Sequence, residues 1–229
     1  MKMQYVLLGS GAVRPNPRRA GPSQAIILDD RILMFDCGPG AARSLASTGL
    51  APQCVEKLFL THLHFDHTAD CPYLALVGWT NGRKTPLEVF GPAGTSDFIE
   101  KGIRGTFGAD IATRLAHGKD PSGIETQTTE ISGPGECLRE DDLSVSAIFT
   151  QHAHMDTLVF AVEARGRRAV VVGDTILTNE LVEFCRGADL IAVECSGTSE
   201  FLQSFAWGAW HMTPQDVANL AKRSKAGRV

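Results

Sequence analysis

The 229-residue sequence has no Cys-x-x-Cys pair among its six cysteines, and this excludes a thiolate zinc knuckle. Cys37, Cys54, Cys71, Cys137, Cys185 and Cys195 are scattered along a chain long enough to fold on its own core, so they read as reduced structural thiols rather than a disulfide frame. Long apolar runs are also missing. The amino-terminal run Tyr5-Val6-Leu7-Leu8 stops at Gly9, too short for a signal-peptide core or a membrane span, so a cytoplasmic protein with no membrane partner is predicted. Nor is there an excess of one charge. With 22 Lys plus Arg against 26 Asp plus Glu, nothing global draws the chain to nucleic acid. No long linker, low-complexity tract or heptad run interrupts residues 1–229, which are read as one domain.

What is present is a repeated grammar of strands followed by helices. Gln4 to Leu8, Gln24 to Leu28 and Arg31 to Phe35 read as strands, the last two joined through Asp29-Asp30 as a tight hairpin. Ala41 to Ser47 reads as a helix stopped by Gly49, Lys57 to Thr61 as a buried strand, Asp66 to Trp79 as a helix, and Leu87 to Phe90 as a strand. A helix is suggested from Ser96 to Ile103. From Gly102 to Glu140 the Gly, Thr, Ser and Pro content predicts irregular connections. A second meander follows in Leu143 to Phe149, Leu158 to Glu163 and Ala169 to Val172. Then come a helix from Asn179 to Arg186, a strand from Leu190 to Val193 and a last helix opened by Thr213-Pro214. Two such halves predict an α/β fold, an αββα sandwich of two mixed β-sheets with helices on the outer faces.

The histidines are not distributed by composition. Seven spread evenly would put about 0.2 in a window of six, yet His62-Leu63-His64-Phe65-Asp66-His67 holds three, together with Asp66. His62 and His64, two apart at a strand end, fall on one side, and Asp66 and His67 follow as the chain turns into a helix. Imidazole and carboxylate at that spacing suit Zn, Mn or Fe and not Ca or Mg.

Taken in order, Leu8-Gly9-Ser10-Gly11-Ala12, Phe35-Asp36-Cys37-Gly38-Pro39-Gly40, Thr61 through His67, His152, Gly173-Asp174-Thr175, Glu194-Cys195-Ser196 and Trp210-His211-Met212-Thr213 resemble the motifs of the metallo-β-lactamase superfamily. The likeness is to its ribonuclease Z-like branch of arylsulfatase and tRNA 3′-endonuclease relatives, and it implies the metallo-β-lactamase fold. The resemblance implies two divalent metal ions, zinc first and Mn or Fe as alternatives. His62, His64 and His152 would hold one ion, Asp66 and His67 the other, and Asp174 would bridge them. Asp66 would orient a metal-bound hydroxide, and His211, meeting Glu194, would assist the leaving oxygen.

The family reads Ser where this chain has Met212, and it follows the last helix with a strand ending in a further histidine ligand. This sequence stops at Val229, so a shortened domain with a weakened second metal is expected unless His154 or a neighbouring chain substitutes. His154 is placed on the same side as His152 if its strand continues, and His117 is read as a surface residue.

Between Thr95 and Glu140 five basic residues are diluted by eight acidic ones, which is no RNA clamp. The best basic cluster, Arg14 to Arg19 after the first strand, reads first as a solvated loop and second as a contact for phosphate or sulfate. Trp207 and Trp210 flank the approach to His211 and are placed to stack an aromatic group or a base, with packing as the commoner fate of tryptophan. The leading expectation is therefore a metal-dependent hydrolase of a small ester or phosphodiester. A tRNA 3′-end endoribonuclease comes second, with RNA allowed but not favoured, and a non-catalytic metal-binding protein is the alternative of another class. A homodimer is allowed by the resemblance.

Overall fold

The computed structural model describes residues 3–229. They form two compact units that divide between Glu130 and Ile131.

The first unit carries a six-stranded mixed sheet in the order β1 to β6. Strands β1 (Met3–Gly9), β2 (Ser23–Leu28) and β3 (Arg31–Phe35) run antiparallel. The β2–β3 hairpin closes through Asp29 and Asp30, with Asp29 in the left-handed region at φ 56°, as a two-residue turn demands. Strands β4 (Val55–Phe59), β5 (Leu87–Gly91) and β6 (Thr126–Glu130) join in parallel. Ala25, Met34, Leu58 and Val89 on one face meet the helices α1 (Ala41–Ser47), α3 (Cys71–Thr80) and α4 (Thr95–Ala116) in a single core. On the opposite face Phe35, Phe59 and Phe90 stack with centroids 4.9 and 4.7 Å apart, and all three are buried.

The second unit carries a five-stranded sheet in the order β11-β10-β9-β8-β7. Strands β7 (Gly135–Glu140), β8 (Leu143–His152), β9 (Met155–Ala164) and β10 (Arg167–Val172) are antiparallel neighbours, and β11 (Leu190–Ala192) joins β10 in parallel. Val159, Ala161, Val170 and Val172 pack with Leu181 and Val182 of α5 (Asn179–Phe184) and Leu220 of α7 (Pro214–Ser224). Thr213 and Asp216 form a reciprocal capping box at the start of α7, with Pro214 in its first turn. Two mixed sheets with their helices make the α/β fold that the sequence predicts. Among the described residues no helix is long and apolar enough to cross a membrane.

Three local expectations are corrected. The helix suggested from Ser96 to Ile103 runs on into the stretch expected to be irregular, as α4 of 22 residues, and that stretch also holds the strands β6 and β7. Gly102, Gly105 and Gly108 each disfavour a helix by about 1 kcal/mol, but Ile99, Ile103, Phe107 and Ile111 recur every fourth residue and reach the core. The carboxylate of Glu130 accepts the Ser96 and Gly94 amides at the helix start (2.8 and 3.2 Å), which holds its carboxyl below the usual range.

The helix expected from Asp66 to Trp79 is broken into α2 (Phe65–Thr68) and α3. The Asp70 amide turns away to the Cys37 carbonyl (2.9 Å), and Pro72 has no amide to continue the ladder. Finally, β8 does not run on past His152. The chain reverses through Ala153, at φ 51°, and His154 into Met155, so His154 is an exposed turn residue instead of a neighbour of His152 on a strand face.

Arg83 is a buried cation that ties the first unit together. Its guanidinium donates to the carbonyls of Gly123 (3.0 and 3.2 Å), Ala75 (2.9 Å) and Val55 (3.3 Å). Burial brings its pKa down to about 10, so it stays charged at neutral pH. Arg83→Met leaves these carbonyls without donors and is expected to cost about 2–4 kcal/mol. Urea unfolding measures this; a loss below about 0.5 kcal/mol would show that the carbonyls find other partners.

Candidate functional site

Each unit presents a cluster of imidazole and carboxylate groups at strand ends, where open α/β sheets place their chemistry. In the first unit β4 ends at Phe59, and the chain then runs through Thr61 into His62, His64, Asp66 and His67. His62 Nε2 and His64 Nδ1 meet at 2.9 Å, the His62 and His67 rings lie 4.1 Å apart by centroid, and His67 Nε2 is 4.0 Å from Asp66 Oδ2. His62, Asp66 and His67 are buried and His64 half-buried.

A residue quoted only as part of a turn motif proves to organise this cluster. Asp36, 1% exposed, accepts from His67 Nδ1 (2.8 Å), from the Thr61 amide (2.8 Å) and from the Thr61 hydroxyl (2.9 and 3.1 Å). The Nδ1 bond directs His67 to present Nε2, the usual second partner of a metal-bound imidazole. Cys37 and Gly38 continue the clamp. The Cys37 amide donates to the His67 carbonyl at 2.7 Å, and a Cβ on Gly38 would lie 2.1 Å from the Asp66 carbonyl oxygen, so no other residue fits there. The signal for Asp36 was its place beside the glycine turn; the contact to His67 spans 31 residues and is not visible in sequence.

In the second unit the ligand-capable atoms of His152, Asp174 and His211 all lie within 4.8 Å of one another. His152 closes β8, Asp174 follows β10, and His211 precedes α7. His152 Nδ1 faces the Trp210 carbonyl at 3.3 Å, and its Nε2 is 3.8 Å from Asp174 Oδ2. Glu194, after β11, is the hub. Its Oε1 accepts from His211 Nδ1 (2.9 Å), the Met212 amide (3.2 Å) and the Thr175 amide (3.3 Å), and its Oε2 accepts from the Ser196 hydroxyl.

Ser196 was not singled out as a site residue, yet its Oγ also lies 3.2 Å from His211 Nδ1. Serine and carboxylate share one ring nitrogen, which rules out a serine nucleophile activated from the opposite nitrogen and leaves Ser196 as a positioning group. The unusual Met212 is fully buried in the core of this unit, so its side chain does not enter the cluster. His154 does not join the His152, Asp174 and His211 group; its ring lies 6.2 Å from Trp210.

The donors suit a divalent cation of the zinc, manganese or iron type, since all are imidazole nitrogen or carboxylate oxygen. The nearby Cys37 side chain lies fully buried in the apolar core of the first unit and is not part of the cluster, and burial, then its hydrogen bond to Cys71, push its thiol pKa well above the ordinary value. Asp36→Asn keeps a side chain that tolerates the φ of 55° at this position but weakens the hold on His67. The expected result is a metal affinity lower by about 10- to 100-fold, read by chelator competition, with the unfolding midpoint of the metal-free chain little changed. An unchanged affinity would remove Asp36 from the metal account.

Comparison with known proteins places this arrangement. Residues 31–229 match the model of the family described as Beta-lactamase superfamily domain. The chain is 31% identical to the ribonuclease Z of Mycobacterium marinum, over 98% of this chain and 84% of that protein. Among solved structures it is similar to human tRNase Z, short form (ELAC1), with a TM-score of 0.79 and 24% identity, covering 97% of this chain and 89% of that one. It is also similar to the metallo-β-lactamase fold protein YhfI of Bacillus subtilis, with a TM-score of 0.76 and 18% identity, covering 98% and 83% of the two chains. With both units matched and a histidine and carboxylate cluster at the strand ends of each, the chain belongs to the ribonuclease Z family of the β-lactamase superfamily and is a hydrolase.

Proposed function

We propose that this hydrolase is a zinc-dependent endoribonuclease that cuts precursor tRNA at its 3′ end. The observation that carries the reading is the likeness to a ribonuclease Z along nearly the whole chain. It reverses the order of the substrate expectations, in which a small ester or phosphodiester stood first and RNA second. The charge count that put RNA behind summed five basic and eight acidic residues between Thr95 and Glu140. Three of the five basic residues there pair locally in and beside α4, Lys101 with Asp97, Arg114 with Asp110 and Arg104 with Glu125, so this segment offers RNA no cationic surface and the reading rests on the likeness instead of on charge. Hydrolysis of a small phosphodiester follows from the same groups and serves as a simpler readout.

The reading assigns His62, His64 and His152 to one ion, Asp66 and His67 to a second, and Asp174 to both. Divalent ions held by these residues would supply Lewis-acid polarisation of the phosphodiester and would lower the pKa of a water. Asp66 accepts a hydrogen bond from the attacking water and holds it in line. His211 has its Nδ1 fixed by Glu194, so the proton it delivers to the leaving oxygen comes from Nε2. The Glu194 carboxylate compensates the imidazolium charge while that proton is held, and Ser196 keeps the carboxylate from turning away.

The test is cleavage of a precursor tRNA by the zinc-loaded chain at low salt. His64→Ala is expected to abolish it with loss of metal. His211→Ala is expected to keep the metal and KM while lowering kcat by about 10²- to 10⁴-fold. An intact precursor after prolonged incubation with the metal-loaded chain would overturn the RNA reading, and full activity of His211→Ala would overturn the role given to that residue.

A further inference from the structure

Nine large hydrophobic side chains are exposed among the described residues, and three of them, Phe201, Phe205 and Trp207, fall within seven positions. Phe201 is carried by α6 (Ser199–Gln203), Trp207 by the short 3-10 segment Ala206–Trp210, and Phe205 by the extended link between them. Phe205 and Trp207 stack with centroids 5.1 Å apart and planes 21° from parallel, and Phe201 lies 5.2 Å from Phe205. The rings are held from beneath. Thr198 caps α6 through the Phe201 amide, Leu202 is buried, and a Cβ on Gly208 would lie 2.1 Å from the Leu202 carbonyl oxygen, so the two segments meet through backbone alone.

The cluster ends at the residue assigned to the leaving oxygen. Trp207 meets His211 edge to face, with centroids 5.4 Å apart and planes at 86°. From Thr198 to Trp210 there is no Lys or Arg, and Glu200 is the one charged residue. A surface of this kind recognises a neutral π face and not a phosphate.

We infer that Phe201, Phe205 and Trp207 form a stacking platform for an unpaired nucleobase of the RNA, next to the phosphodiester that is cut. The inference rests on the RNA reading above and adds the subsite that seats the substrate beside His211. Stacking without hydrogen-bond donors is sequence-tolerant, so the platform holds the flanking nucleotide whatever its base.

The test uses the full chain and a precursor tRNA with a short 3′ trailer, alongside two counterparts that carry an abasic site on one or the other side of the cut. Binding is read by fluorescence anisotropy of labelled RNA in chelator, where no cleavage occurs, and cleavage is read separately with zinc. The intact RNA is expected to bind about 10-fold more tightly than one abasic counterpart. Trp207→Ala should erase that difference, while Trp207→Phe, which still stacks, keeps most of it. A folded Trp207→Ala chain, checked by circular dichroism, that still discriminates would overturn the platform, as would a wild-type chain indifferent to either abasic site. Sedimentation showing a dimer that Trp207→Ala disperses would assign the rings to a second copy instead, and would also overturn it. Cleavage without any abasic penalty sinks the platform alone; neither binding nor cleavage of the intact precursor sinks the RNA reading with it.

Discussion

The site in the first unit depends on one buried carboxylate. Asp36 follows β3 and accepts at once from the end of the neighbouring strand, through Thr61, and from the helical turn of the histidine motif, through His67. A carboxylate that is 1% exposed is costly unless its oxygens are satisfied. Here the satisfying donors are the groups whose positions the chemistry requires. The same turn carries Cys37, whose amide and carbonyl bond to His67 and Asp70 on either side of the break between α2 and α3. The histidines are thus aimed by backbone and carboxylate geometry, and a ligand need not gather them from a flexible loop.

The second unit solves the same problem with a different carboxylate. Glu194 gathers two backbone amides, a hydroxyl and the Nδ1 of His211, so that ring cannot rotate without breaking several bonds. In both units the parallel strand pairs, β3 with β4 and β10 with β11, deliver these residues at their carboxyl ends. The remaining pairs are antiparallel in the second unit, while in the first β5 and β6 extend the parallel half and β1 and β2 the antiparallel one. The fold therefore supplies two rigid polar clusters, and the family reading supplies their joint use.

Much of this was legible from residues alone, for physical reasons. The histidine motif violates composition so strongly that it announces itself. Thr213-Pro214 marks a helix start in any context, and the two-residue spacing of Asp29-Asp30 marks a hairpin. The misses share a cause. In α4 three glycines argued against a helix that is held by isoleucines reaching the core, so tertiary packing overrode local propensity. The break at Asp70 depends on a hydrogen bond to Cys37, more than thirty positions away in sequence. Asp36 and Ser196 owe their roles to contacts that no periodicity encodes. Met212, a departure from the family pattern, is harmless because its side chain lies in the core.

The central claim is that imidazole and carboxylate groups, with no thiolate, hold the divalent metal on which the hydrolysis depends. X-ray absorption at the zinc edge, on the full chain loaded with zinc and freed of excess, tests this most directly. The account predicts a first shell of nitrogen and oxygen at about 2.0–2.2 Å, with the multiple-scattering pattern of several imidazoles and no sulfur. Sulfur scattering at about 2.3 Å, or a shell without imidazole, would contradict it.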